Sequence, residues 1–208
     1  MSKDSYFTIH KPSIHEIKIK GSRFIGHVKS VQERNKAERF ITKISKKHHA
    51  ATHNCFAYHI GIGSQIQSRF NDDGEPSGTA GRPILETISG RDLTNVVCVV
   101  TRYFGGTKLG TGGLARAYSQ CAAEVLDKAG RKEHHFTISI ELVFPYDCTG
   151  NVMSLLSARK IQITNKTYNA LATITIDARQ SIINKLQQDL INATSGKIQM
   201  KVKENDSR

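Results

Sequence analysis

The sequence predicts an α+β protein of two domains, and three observations carry that reading. Residues 1–135 mix alternating apolar stretches with amphipathic helical ones. The final 70 or so residues run β-α-β-β-α-β, the split βαβ or ferredoxin-like order. Charge also divides about a point near Phe136, with 21 basic and 12 acidic residues before it and 9 and 6 after it, net +9 and +3. All nine histidines fall in the first part. The expected domains are therefore 1–135 and 136–203, with a boundary near 133–137 and a frayed tail at 204–208.

Taken in order, residues 17–20 and 23–31 alternate around Gly21-Ser22 and read as a hairpin. Residues 33–47 place Ala37, Phe40, Ile41 and Ile44 at helical spacing, giving an amphipathic helix with a basic outer face. Strands follow at 54–62 and 65–70, then a short helix opened by Pro83 and ended by Gly90. Residues 95–104 (NVVCVVTRYF) form an apolar, β-branched run typical of a buried central strand. After a glycine cluster, Leu114, Tyr118, Cys121, Ala122, Val125 and Ala129 share one face of a helix stopped by Gly130. The second domain reads as strand 136–144, helix 151–158, strands 161–168 and 170–176, helix 180–193 and strand 197–202. Ile182, Ile183, Leu186 and Leu190 supply its second helix with a core face.

Composition bounds the function. At 208 residues, 38% hydrophobic and 23% charged, the chain has the make-up of a globular protein and not of a disordered or fibrous one. It contains no run of 18 apolar residues and no signal-peptide pattern at its start, so a cytoplasmic location with no membrane partner is expected. Cys55, Cys98, Cys121 and Cys148 are widely spaced and form no metal or redox pair. His48, His49 and His53 lack an acidic or thiol partner at zinc-site spacing and read as a polar helix end. No metal and no cofactor is expected.

Two segments combine turn residues with ionic side chains: 72–83 (DDGEPSGTAGRP) and 101–119 (TRYFGGTKLGTGGLARAYS). The second runs from the buried strand through Gly105, Gly106, Gly110, Gly112 and Gly113 into a helix whose first N–H groups favour an anion. Arg102, Lys108 and Arg116 add charge. The frame is neither a phosphate-binding Walker loop nor a dinucleotide fingerprint, and the glycines can equally provide tight turns and close packing. In the first segment, Asp72, Asp73 and Glu75 can hold Mg²⁺ or move protons, and Ser77 or Thr79 can act as nucleophile. Asp-Gly and Pro-Ser-Gly are also ordinary turn chemistry, in which carboxylates cap backbone N–H groups.

The segments DDGEPSGTAGRPIL and VVTRYFGGTKLGTGGLARAYS resemble the YigZ/YvyE family of bacterial proteins, related to eukaryotic Impact, with RYFGGTKLG as the family's signature. The resemblance extends over essentially the whole chain. It implies a first domain of Impact type, similar to domain IV of elongation factor G and to certain ribosomal proteins, and a ferredoxin-like second domain similar to domain V of that factor. For eukaryotic Impact it implies translational control through a starvation-activated kinase, a role not carried over because the preceding domain of those proteins has no room here. For bacterial members it implies nucleic-acid or ribosome binding, with no catalytic residue to assign.

The expected function is RNA or ribosome binding that modulates translation. The expected phosphate and base contacts are Arg82, Arg102, Tyr103, Lys108, Gly110, Gly112, Gly113 and Arg116, with Lys43, Lys46 and Lys47 as an electrostatic fringe. Tyr103 and Phe104, beside Arg102, offer a stacking surface for an unpaired base, or strand alternation buries one of the two, in which case Phe104 is the one expected inside. The alternative is an enzyme on a phosphorylated or nucleotide substrate that uses the glycine-rich turn for phosphate and the acidic cluster Asp72, Asp73 and Glu75 for metal or proton transfer. The oligomeric state is not legible.

Overall fold

The structure, a computed structural model, describes residues 5–135 and 137–203. The tail expected at 204–208 and the strand start expected at Phe136 lie outside the described residues. The chain divides into two compact units, one spanning Tyr6–His134 and the other holding, among the described residues, Ser5 and those from His135 to Lys203. No helix among the described residues is long and apolar enough to cross a membrane.

The first unit is built on an antiparallel five-stranded sheet of β2 (Ser13–Ile19), β3 (Ser22–Ser30), β4 (His53–Ile60), β5 (Gln67–Asn71) and β6 (Val96–Tyr103), in spatial order β2-β3-β6-β4-β5. Lys20 and Gly21 both have positive φ, the backbone of a two-residue hairpin turn whose twist matches the strands it joins. Helix α1 (Arg34–Lys47) covers one face through Ala37, Ile41 and Ile44, which pack on Phe56, Tyr58, Val97 and Val99. Helices α2 (Gly81–Ser89) and α3 (Gly110–Ala129) cover the other, where Ile84, Ile88, Tyr118, Cys121, Ala122 and Val125 meet Phe24, Val28, Cys55, Cys98 and Val100. Central strand β6 is therefore apolar on both faces, which explains its unbroken hydrophobic run. Gly26 of β3 lets α3 lie close, because a Cβ there would stand 2.9 Å from Val125 Cγ1.

Several boundaries differ from the sequence reading. Helix α3 opens at Gly110, so Gly112 and Gly113 lie inside its first turn instead of preceding it. Helix α2 begins at Gly81, two residues before Pro83. Strand β1 (Ser5–Ile9), which pairs with β7 (Arg131–His135), was not expected, since five residues of mixed polarity carry too little periodicity to declare a strand.

The second unit comprises β8 (Thr137–Phe144), α4 (Thr149–Ala158), β9 (Gln162–Tyr168), β10 (Ala172–Arg179), α5 (Ile183–Ala193) and β11 (Gln199–Val202). Its strands lie in the order β11-β8-β10-β9, all neighbours antiparallel, which is the ferredoxin-like arrangement. Ile140, Leu142, Phe144, Ile174 and Ile176 from the sheet pack on Val152, Leu156, Leu186 and Leu190 from the two helices.

Candidate functional site

The carboxyl end of β6 is where sequence alternation and tertiary packing meet. Cys98, Val100 and Arg102 point toward α2 and α3, while Val97, Val99, Thr101 and Tyr103 point the other way. Arg102, expected to contact phosphate, is instead 5% exposed. Its Nη1 donates to Glu75 Oε1 at 2.7 Å and its Nη2 to Ser22 Oγ at 3.4 Å. The Tyr118 hydroxyl donates to the same Glu75 oxygen at 2.8 Å. The guanidinium lies between the rings of Phe24 and Phe104, 5.5 Å from each centroid, and its Nε has no hydrogen-bond partner among the described residues. The Cys55 thiol donates to the Tyr118 oxygen at 3.3 Å, and burial raises the pKa of both groups, keeping them protonated and neutral. The cluster is thus a buried ion pair with satisfied neighbours, built to hold shape.

The acidic segment serves the backbone. Asp72 accepts from the N–H groups of Gly78, Ala80 and Gly81 at 2.9, 3.0 and 2.8 Å, placing a carboxylate at the amino end of α2 where the helix dipole favours it. Asp73 Oδ2 accepts from the Asn54 N–H at 2.6 Å, and the Asp73 carbonyl accepts from His53 Nδ1 at 2.7 Å. Thr79 donates to the Pro76 carbonyl at 2.7 Å, and Ser77 is exposed. Asp72, Asp73 and Glu75 therefore do not converge, and no group of three or more His, Cys, Asp or Glu among the described residues is arranged to hold a metal ion.

Beyond β6 the chain is pinned and then opens to solvent. The Gly105 N–H donates to Ser22 Oγ at 3.1 Å, and a Cβ on Gly105 would stand 1.9 Å from the Gly21 carbonyl carbon, so the two turns meet backbone to backbone. Phe104, expected buried, is 48% exposed: it lies one residue past the strand, where alternation no longer dictates direction. Gly106, Thr107 and Lys108 are exposed. Leu109 offers α3 no side-chain cap and the first turn carries no acid, and Gly110, Thr111 and Gly112 are exposed. Arg116 reaches back toward that turn, its Nη1 3.8 Å from the position a Gly112 Cβ would take. Lys108 and Arg116 have no ion-pair partner among the described residues.

The fold thus gathers Lys108, Gly110, Gly112, Gly113 and Arg116 at one end of α3, with Phe104 four residues before Lys108 in the exposed segment that leads there, and disperses the other expected contacts. Tyr103 lies on the opposite face of the sheet, where its hydroxyl bonds His48 Nδ1 at 3.0 Å and Arg23 lies over its ring. Arg82 is exposed but paired with Glu86 at 2.9 Å. Lys43, Lys46 and Lys47 belong to α1, across the sheet from α3. A histidine pair, His27 buried and His48 half-buried, also sits on the α1 side, unforeseen because its members come from separate elements. His27 is 2% exposed, its ring centroid is 5.1 Å from that of His48, and neither Nε2 has a hydrogen-bond partner among the described residues. Burial pushes the His27 pKa down to about 4 and lowers that of His48.

Comparison with known proteins places this geometry in context. The Impact N-terminal domain family matches residues 20–126, and a domain of unknown function, DUF1949, matches residues 142–197. The IMPACT family member YvyE of Bacillus subtilis is 40% identical over 197 residues, covering 95% of this chain and 90% of its own. The IMPACT family member YigZ of Escherichia coli is 30% identical over 183 residues, covering 88% and 90%. A crystal structure of a hypothetical protein, 28% identical, superposes with a TM-score of 0.68 over 98% of this chain and 100% of its own.

Proposed function

Since this chain belongs to the IMPACT family, sharing its Impact N-terminal domain and close to full-length similarity with bacterial members, we propose that it binds RNA, alone or on the ribosome, and thereby modulates translation. The observation that carries the reading is the open end of α3. There Lys108 and Arg116, exposed and without acidic partners among the described residues, flank an uncapped turn of N–H groups. Residues 1–135, with 21 basic and 12 acidic side chains, add a net +9 that attracts a polyanion to the domain as a whole. Gly110, Gly112 and Gly113 leave the helix start bare of side chains, so phosphate oxygens can approach the backbone. Arg102 supports the site from behind, and Arg82 and the α1 lysines act at a distance as part of the general positive field, while Tyr103, neutral and bonded to His48, takes no part in it.

The alternative of an enzyme on a phosphorylated substrate draws on the same turn. It is the weaker reading, because Asp72 and Asp73 are engaged with backbone donors and Glu75 with Arg102 and Tyr118.

Filter binding of single-stranded RNA to the full chain at low salt tests the proposal. Retention should fall steeply as salt rises, since each neutralised phosphate releases counterions. Lys108→Ala with Arg116→Ala should weaken binding at least about tenfold and flatten the log–log salt slope by about 1–2. No retention at low salt, or a double variant that binds like the parent, refutes it.

A further inference from the structure

We propose that Phe104 is a stacking platform for one unpaired nucleobase, which makes the site selective for single-stranded over duplex RNA; this rests on the RNA-binding reading above. Phe104 is 48% exposed, yet its position is fixed on two sides. Its backbone N–H donates to Thr52 Oγ1 at 3.0 Å. One face of its ring lies against the Arg102 guanidinium, 5.5 Å from Cζ to centroid, and that guanidinium is itself held by Glu75 at 2.7 Å and backed by Phe24. A buried, anchored cation thus supports the ring from behind.

Gly105 and Gly106 follow it and bring no side chain to cover the exposed surface, and a Cβ built at Gly106 would find no atom within 4 Å. An exposed aromatic surface can serve an apolar peptide as well as a base, and charge decides between them. Lys108, four residues on, and Arg116 are exposed cations without acidic partners among the described residues, so the occupant of this end carries negative charge along its backbone. A flat apolar group on a polyanionic chain is an unpaired nucleotide. Bases inside a duplex are already stacked and cannot reach a single ring. Stacking on an aromatic side chain tolerates any base, and a purine, with the larger face, should stack better than a pyrimidine.

The sequence contains six tyrosines but no tryptophan, so Phe104→Trp introduces a single tryptophan at this point that can be excited selectively at the red edge of tyrosine absorption. The full chain, Phe104→Ala and Phe104→Trp are titrated with single-stranded oligoadenylate, oligouridylate and an RNA duplex of equal length. Phe104→Ala should lose about tenfold or more in affinity for oligoadenylate, less for oligouridylate, and bind the duplex as the parent does. Phe104→Trp should keep parental affinity, and oligoadenylate but not duplex should quench its emission. Equal oligoadenylate binding by Phe104→Ala and the parent overturns the platform and leaves RNA binding standing, as does an equal loss for duplex and single strand. A parent that retains none of the three RNAs overturns the RNA-binding reading itself.

Discussion

Arg102 and Glu75 stand 27 positions apart in the chain and 2.7 Å apart in the fold. Nothing in their spacing announces the pair, and both have the composition of surface residues. Alternation along β6 turns Arg102 inward, and only the packing of α3 against β3 supplies the Tyr118 hydroxyl and Phe24 ring that complete its surroundings. Removing one member of such a pair leaves the other charge buried and uncompensated. Arg102→Met and Glu75→Gln should each destabilise by about 3–5 kcal/mol, and the double variant should lose clearly less than their sum. Urea titrations of the parent and three variants read this directly, and additive losses would show that the pair is not coupled. The same residue-scale logic explains why Phe104 and Tyr103 exchanged roles. The strand period that would bury residue 104 ends at Tyr103, so the ring's direction follows from its contact with Arg102.

At the scale of elements, the strongest patterns were legible. The apolar run of β6, the core faces of α1 and α3 and the β-α-β-β-α-β order of the second unit all follow from hydrophobic period. The amino end of α3 was less so, because glycine disfavours helix and three of the four residues in 110–113 are glycine. Gly112 there has neither a positive φ nor a crowded Cβ site, its nearest neighbour being Arg116 Nη1 at 3.8 Å. The fold does not require glycine at this position. Gly112→Ala should therefore raise stability by about 0.5–1 kcal/mol while placing a methyl group where phosphate would meet the backbone. A thermal melt should show a higher Tm and filter binding a severalfold weaker affinity for RNA; unchanged affinity would remove this turn from the contact.

At the scale of the whole molecule, acid stability gathers contributions that no single element reveals. His27, buried beside His48 and near Lys47, has its pKa pushed down to about 4, with burial the main cause. Arg23 and Tyr103 face His48 from the neighbouring strands. In the unfolded chain His27 titrates near its ordinary value of about 6.5, so below that pH the unfolded state binds the extra proton. Stability from this group is complete above about pH 6.5 and is lost as pH falls toward 4, by about 3 kcal/mol in all. Denaturant midpoints measured from pH 7 to 4 should fall for the parent and fall less for His27→Gln; parallel curves would contradict the assignment. The sequence by itself determined the α+β class, the order of most elements and the basic, glycine-rich character of one region, because hydrophobic period and composition are local properties. The tertiary structure alone decided which charged residues remain free. Burial and pairing depend on what the distant chain brings, and it brought Glu75 to Arg102, His27 to His48, and no acid among the described residues to Lys108 and Arg116.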